Sequence, residues 1–268
     1  MMLLIDAHVH IHDCFDMDGF FDAAEGNFRA AAGGDGAVRL TGFLLLAETA
    51  KQHRFQQLRE RGGSLRRWQA LPTGEPLSLR LARTDRTGPG MYLVAGRQIV
   101  TAEKLEVLAL LCGAEFEDGM ELARTVGAVR TAGGLAALPW GAGKWLGSRK
   151  RLLAGYLAKE RGGELFLADN GCRPSFWPFP RYARNAGRQP LAGTDPLPFP
   201  WEQGRAGSFG VRLEAGIDER SPAASLGILL RDRQCRPQPY GRPESPFRFV
   251  RNQAAMQIHK NLLPAGLS

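Results

Sequence analysis

The sequence has little cysteine and little histidine. Its four cysteines are far apart and form no CxxC pair, so their spacing indicates neither a zinc ribbon nor a disulfide framework. This usage fits a reducing compartment, and we expect the protein in the cytoplasm. Only five histidines are present, and three of them, His8, His10 and His12, fall within five residues. Histidine is therefore concentrated at one place in the chain.

Long apolar runs are also missing. No run of about 18 apolar residues occurs, so we predict no membrane-spanning segment. Residues 1–5 are too few for the core of a signal peptide, and Asp6 interrupts them. Hydrophobic residues make up 44% of the 268 residues. That fraction is enough to bury the core of one α/β barrel or of two small domains.

Acidic residues are fewer than basic ones, at 27 against 35, and the formal net charge is +8. A basic balance is compatible with an anionic partner, although scattered arginines that keep the protein soluble would give the same charge. The basic clusters are short, and none interleaves aromatic residues as a base-stacking platform would. We therefore expect a small anionic substrate, and nucleic acid is a possible but less favoured partner.

Strands and helices alternate along most of the chain, which indicates parallel strands joined by crossover helices. We predict one α/β domain over residues 1–268, a distorted TIM-like barrel of seven or eight β/α units. A small β insertion is expected at about 64–97, because short strands alternate there with Pro/Gly turns. A helical extension is expected at about 221–268. The principal predicted strands are 3–10, 40–46, 98–101, 105–111, 135–138, 164–168 and 190–192.

His8 and His10 lie two residues apart at the end of the first predicted strand, so their side chains point to the same face. At the carboxyl end of a parallel barrel, where barrel chemistry takes place, this spacing puts two imidazoles side by side. Neutral imidazoles bind zinc and iron well. Asp6 shares their face and is expected to orient one ring. The alternative is a strand that happens to contain two histidines.

Carboxylates follow three other predicted strand ends or turns. Glu48 follows the second strand, Glu103 lies in the turn between two strands, and Asp195 follows the strand at 190–192. Each alone would be an ordinary cap or turn residue. Together, on converging strand ends, they predict a site in which His8, His10, Glu103 and Asp195 bind metal. Glu103 or Glu48 would then act as the general base.

Two basic residues are predicted to neutralise charge on the substrate. Lys144 lies in a glycine-rich turn before a helix, where an anion can approach the helix N-terminus. Arg173 follows the strand at 164–168 and can pair with a phosphate or carboxylate. A simple glycine turn is the alternative interpretation at Lys144, and ordinary loop polarity is the alternative at Arg173.

The order of these segments resembles the polymerase-and-histidinol-phosphatase (PHP) family, within the wider range of amidohydrolase-like barrels. The resemblance spans much of residues 3–198, and its first and last motifs are the specific ones. It rests on the opening DxHxH at 6–10, an acidic turn at 16–19, a GG-apolar strand at 133–140, a strand ending in Asn at 165–171 and a final G-S/T-D at 192–195. It implies metal-dependent hydrolysis, of phosphoesters first and amides second.

The sequence departs from the family pattern at three expected histidines. Ala47-Glu48-Thr49 stands where the family has Thr-Asp-His, and Leu138-Pro139-Trp140 stands where it has Ala-His-Pro. The final Asp-x-His becomes Asp195-Pro196-Leu197. A three-metal site is therefore not expected. One or two divalent ions of zinc, manganese or iron remain possible, and so does a site that has lost its metal.

We therefore predict a divergent metal-dependent hydrolase that acts on a small anionic substrate through a metal-activated water. One alternative is a catalytically inactive barrel that serves as a ligand-binding or scaffold protein, which the missing histidines favour. A second is a metal-dependent nuclease, which rests on net charge. The oligomeric state is not predicted.

Overall fold

The computed structural model describes residues 1–34, 39–61, 65–140, 147–160, 165–177 and 190–262. Its strands are β1 (Met2–Val9), β2 (Leu40–Leu46), β3 (Trp68–Pro72), β4 (Ser78–Arg83), β5 (Gly90–Val94), β6 (Gly96–Val100), β7 (Glu106–Leu110), β8 (Leu135–Trp140), β9 (Phe166–Asp169), β10 (Leu191–Ala192), β11 (Phe209–Glu214) and β12 (Gln238–Gly241). Its helices are α1 (Met17–Ala31), α2 (Arg54–Arg61), α3 (Leu122–Thr131), α4 (Gly147–Lys159), α5 (Pro222–Arg231) and α6 (Pro246–Leu262), with a 3-10 helix at Pro200–Arg205.

Strand β1 lies inside a seven-stranded sheet of order β12-β11-β1-β2-β5-β4-β3. Leu3 and Ile5 face one side of this sheet, and Leu4 and Val9 face the other. Because both faces are covered, β1 is a nearly continuous apolar run rather than an alternating one. β1, β2 and β5 are parallel, whereas β11 pairs antiparallel with β1.

A second sheet has five strands in the order β10-β9-β8-β7-β6. β8, β9 and β10 are parallel, and β7 runs antiparallel to both of its neighbours. The carboxyl ends of β8, β9 and β10 therefore lie along one edge of this sheet. Asp169, Asn170 and Asp195 follow or end these strands, which brings polar side chains to that edge.

The predicted TIM-like barrel is wrong, because the described strands form two open sheets. Each strand has two hydrogen-bonding edges, and the strands that would have to close a barrel have both edges occupied. β2 and β11 flank β1, and β2 and β4 flank β5. The sheets meet through isolated contacts, such as the bond from Asp195 N to His8 O and the bridge between Glu48 and Arg97. These contacts do not join the sheets into a closed cylinder.

The main core lies between the inner faces of the two sheets, and α5 contributes Leu226 and Leu230 to it. On the outer face of the seven-stranded sheet, α1 and α2 bury aromatic side chains that include Phe20 and Phe28. On the outer face of the five-stranded sheet, α3 and α4 bury Val126 and other apolar residues. The layers thus run helices, sheet, sheet, helices, and each sheet is covered on both sides.

Part of the chain differs from the predicted elements. The region at 64–97 is not a separate insertion, because β5 lies within the seven-stranded sheet and only β3 and β4 form its antiparallel edge. β11 begins directly after Gly207-Ser208, and β12 lies in the proline-rich stretch at 234–247, so both strands follow or occupy sequence whose composition favours a loop. The residue pattern at 181–187 predicts a short helix, and this range lies outside the described residues. No helix among the described residues is long and apolar enough to cross a membrane.

The close approach of β11 to β1 can be tested at Gly210. A Cβ at this position would lie 2.2 Å from the carbonyl oxygen of Ile5. β11 cannot move away from β1 without breaking the backbone hydrogen bonds between the two strands. We expect Gly210→Ala to lower the free energy of unfolding by about 2–3 kcal/mol. The measurement is urea unfolding followed by circular dichroism.

Gly127→Ala on α3 is the matched control. Nothing lies within 4 Å of a Cβ at that position, so the substitution should raise stability by about 0.5–1 kcal/mol through helix propensity. A Gly210→Ala protein as stable as the wild type would contradict the pairing of β1 with β11.

Candidate metal centre

His8 and His10 lie at the carboxyl end of β1. The register of β1 on β2 shifts between Asp6 and Val9, and such irregularities re-aim side chains next to functional sites. Both histidines are buried, and their Nε2 atoms lie 3.1 Å apart. Two imidazoles therefore direct the same ring atom toward one point.

Asp195 reaches this point from the loop after β10. Its Oδ1 lies 3.6 Å from His8 Nε2 and 3.4 Å from His10 Nε2. Its other oxygen, Oδ2, accepts a hydrogen bond from Asn170 Nδ2 at 2.8 Å. Asp195 has a φ of 45°, in the left-handed region that aspartate tolerates better than most residues. Its backbone N–H donates to His8 O at 2.8 Å, which fixes the loop against β1.

Gly193 allows this loop to lie against β1. A Cβ at position 193 would be only 2.3 Å from the backbone nitrogen of His8, a distance that real side chains do not adopt. The backbone of Gly193 also donates to Asp169 O at 2.9 Å, which continues the contact between β10 and β9. Gly193, two residues before Asp195 in the sequence, is thus required by close packing.

The spacing of the three donor atoms fits one divalent ion. His8 Nε2, His10 Nε2 and Asp195 Oδ1 are separated by 3.1, 3.4 and 3.6 Å. Ligands bound at about 2.0–2.1 Å in tetrahedral geometry are about 3.4 Å from one another. Two nitrogens and one carboxylate oxygen also form a donor set that suits zinc, iron or manganese. His8, His10 and Asp195 are a group with metal-ligating atoms within 4.8 Å of one another.

Asp6 has a different role from the one predicted. Its fully buried carboxylate accepts hydrogen bonds from His8 N at 3.4 Å, Thr194 N at 2.8 Å, Thr194 Oγ1 at 2.6 Å and Gly207 N at 2.8 Å. These bonds hold the backbone at His8 and the loop that carries Asp195, rather than an imidazole ring. Burial raises the pKa of Asp6 to about 6, although the hydrogen bonds from Thr194 and Gly207 lower it.

Gln98 is a site residue that the sequence reasoning missed. Its Oε1 lies 3.2 Å from His8 Nε2, and its backbone N–H donates to Glu48 O at 2.9 Å. The amide therefore borders the donor atoms from the β6 side. The prediction considered histidines and carboxylates, and an isolated glutamine in a strand gave no pattern by which to find it.

His12 continues the row of histidines outward. Its ring stacks on that of His10 with 5.7 Å between centroids, and its Nε2 donates to Pro196 O at 2.8 Å. Burial lowers the pKa of His12, and the neighbouring His10 lowers it further. A neutral His12 therefore braces both His10 and the residue that follows Asp195.

The two predicted glutamates make other contacts. Glu48 Oε1 accepts from Phe55 N at 2.9 Å, and its Oε2 lies 3.6 Å from an Arg97 nitrogen. Glu103 accepts from Leu122 N at 3.0 and 3.1 Å, at the beginning of α3. The group formed by His8, His10 and Asp195 includes neither glutamate. In the structure, Glu48 links β2 to α2, and Glu103 satisfies an N-terminal amide of α3.

Arg173 is buried and engages a carboxylate of the protein. Its Nε and one terminal nitrogen bind the two oxygens of Asp169 at 3.2 and 2.6 Å. Another terminal nitrogen donates to Trp177 O, and the guanidinium lies over Trp140. Arg173 therefore orders the loop after β9. Lys144 lies outside the described residues.

The comparisons with known proteins do not assign a family. No family model matches the chain, and no curated protein matches it. The crystal structure of PsfC from Pseudomonas syringae PB-5123 matches with a TM-score of 0.48 and 14% sequence identity, over 98% of this chain and 99% of that one. A likeness of this size supports no conclusion about function.

The raised pKa of Asp6 predicts a pH-dependent loss of stability. Between the unfolded pKa of 3.8 and the folded pKa of about 6, the folded protein binds the Asp6 proton more tightly than the unfolded chain does. The stabilisation that comes from protonated Asp6 is therefore fully present below pH 3.8. It is lost as the pH rises through about 6, and the free energy of unfolding falls by up to about 3 kcal/mol.

Urea unfolding of the wild type and of Asp6→Asn, from pH 3.5 to pH 7.5 with a chelator present, measures this contribution. The unfolding free energy of the wild type minus that of Asp6→Asn should fall as the pH rises from 3.5 to 7.5. The other titrating groups are common to both proteins and cancel in this difference. A difference that stays constant across the range would show that Asp6 is not held at a raised pKa.

Proposed function

We propose that the protein is a metal-dependent hydrolase whose divalent ion is bound by His8, His10 and Asp195. The observation that carries the proposal is the convergence of three buried donor atoms from β1 and the loop after β10, at separations of 3.1–3.6 Å. The ligand positions are defined by the backbone, because Asp6 and Gly193 hold the two segments together.

When bound, a divalent ion would lower the pKa of a coordinated water and polarise a phosphoryl or carbonyl oxygen of the substrate. The protein's own residues prepare that chemistry. Asn170 holds Oδ2 of Asp195, so that Oδ1 points toward the histidines. Gln98 presents an amide beside His8 and can orient a water molecule or a substrate oxygen. Burial of both histidines keeps bulk water away from their Nε2 atoms.

The favoured substrate is a small anion with a phosphoester bond. The formal net charge of +8 and the DxHxH opening, which resembles that of PHP hydrolases, both favour a phosphoester over an amide. The general base and the residue that neutralises the substrate remain predictions at Glu48 or Glu103 and at Lys144 or Arg173. Cys14, Cys112, Cys172 and Cys235 are all free thiols, which supports the cytoplasm as the proposed location.

A substrate assay tests the proposal. We expect the wild type to hydrolyse p-nitrophenyl phosphate after reconstitution with zinc, manganese or iron, and a chelator to abolish the activity. His10→Ala and Asp195→Asn should each lower kcat/KM by at least about 100-fold, because the loss of one ligand costs more than the loss of a supporting contact. His53→Ala, which removes a histidine outside the donor group, should have little effect.

Other outcomes separate the alternatives. Metal binding that depends on His10, without turnover of phosphoesters or of p-nitroanilide amides, would identify a ligand-binding protein. Turnover of single-stranded DNA or RNA that falls steeply with added salt would identify a nuclease. Hydrolysis that survives both the chelator and His10→Ala would refute the proposed metal centre.

A further inference from the structure

We propose that a cavity at the opposite end of the seven-stranded sheet binds a small molecule carrying a phosphate group. The cavity has a volume of about 430 Å³ and lies between the end of α1 and the amino ends of β2 and β5. Its polar lining includes Arg29, Arg39, Arg80, Tyr92 and Glu219. We call it the arginine cavity.

The arginine cavity is separate from the donor group of His8, His10 and Asp195. Leu40 and Thr41, which line it, are the first residues of β2. The donor group lies beyond the other end of the same strand, where Val9 pairs with Leu46. β2 has seven residues, so at about 3.3 Å per residue the two places are roughly 20 Å apart. A ligand in one cannot contact the other.

The charges around the cavity favour an anion. Among the lining residues, three guanidinium groups face one carboxylate, that of Glu219, while Glu25 and Asp218 lie close by. Arg39 and Glu219 form an ion pair in which both side chains are largely exposed, and an exposed pair of this kind stabilises little. An incoming anion can therefore compete for Arg39 at small cost.

The other two arginines, Arg29 and Arg80, differ in their ion pairs. Arg29 binds Glu25, which also receives Arg83 and Arg86, while Arg83 has Asp22 and Asp85 as further partners. Within the described part of the chain, Arg80 is exposed and has no ion pair. Its guanidinium is available to a ligand.

Tyr92 supplies an observation that is independent of charge. The residue is only 2% exposed, and its ring stacks on Phe43 with 5.4 Å between centroids. Yet the structure gives its hydroxyl no hydrogen-bond partner among the described residues, while the residue lines the cavity. The hydroxyl is not among the buried polar atoms that lack a partner, so it is accessible from the cavity and can donate to a ligand oxygen there.

The protonation state of Tyr92 suits that role. Burial raises the pKa of its hydroxyl, and the nearby Glu219 raises it further, whereas Arg80 and Arg39 lower it. The hydroxyl therefore stays protonated at neutral pH and can donate to an anionic oxygen. A fork of arginine donors together with one neutral donor is well matched to the several acceptors of a phosphate. The cavity volume also leaves room for a small organic group.

Isothermal titration of the full-length protein with inorganic phosphate and with glycerol phosphate, in the presence of a chelator, tests the proposal. We expect saturable binding of glycerol phosphate that weakens about fivefold in Tyr92→Phe, which keeps the ring and removes one donor. Arg80→Ala should weaken it about tenfold or more. Arg124→Ala, an exposed arginine on α3, is the matched control and should leave binding unchanged.

Two results would overturn the proposal. One is the absence of saturable binding by the wild type, and the other is binding that Arg80→Ala leaves unchanged. Arg80 is exposed, so its substitution should not unfold the protein, and the test holds even if Tyr92→Phe is unstable. Binding that disappears in His10→Ala but persists in Arg80→Ala would place the anion at the donor group instead. Because a chelator is present, the outcome does not depend on the proposed hydrolase activity.

Discussion

The buried carboxylate of Asp6 joins three parts of the chain that are far apart in sequence. It accepts hydrogen bonds from the backbone at His8, from Thr194 and from Gly207. Thr194 lies directly before Asp195, and Gly207 lies just before β11. The Asp6 side chain thus connects β1 to the loop after β10 of the five-stranded sheet. It also connects β1 to the segment just before β11, the antiparallel neighbour of β1. A buried charge with this many donors has few other stable positions.

The candidate metal centre depends on that junction. His8 and His10 are placed by β1, and Asp195 by a loop in which Gly193 packs against the backbone of His8. If the loop moved by one ångström, the donor atoms would no longer be spaced for one ion. Asn170 donates to Asp195 Oδ2 and so restricts the Asp195 side chain. His12 donates to Pro196 O and so holds the backbone that follows Asp195. The ligands are therefore preorganised by contacts that ligate nothing themselves.

The sequence was sufficient for the local features. β1 could be predicted because a strand covered on both faces is a continuous apolar run, and the short spacing of His8 and His10 placed them on one face. Asp195 could be predicted as a candidate because it follows the strand at 190–192. α1 and α3 show apolar periodicity and end just before Gly33 and Gly133, a pattern that predicts a helix and its end.

Strand pairing could not be predicted in the same way. β11 reaches β1 across some two hundred residues, and it begins at Phe209-Gly210 directly after Gly207-Ser208, a composition that is typical of a turn. The expectation of a barrel failed for this reason, because alternating strands and helices do not reveal that β11 takes the free edge of β1. Glu103 accepts from Leu122 N and is not part of the donor group, because a carboxylate after a strand also suits the beginning of a helix. Gln98 reaches His8 only through the packing of β6 beside Glu48.

The most direct measurement of the central claim is zinc K-edge X-ray absorption on the protein loaded with one equivalent of zinc. The account predicts a first shell of nitrogen and oxygen at about 2.0–2.1 Å, with imidazole multiple scattering and no sulfur at about 2.3 Å. The imidazole signal should fall in His10→Ala and stay constant in His53→Ala. A sulfur ligand, which would involve Cys172 beside Asp195, or an imidazole signal unaffected by His10→Ala would contradict it.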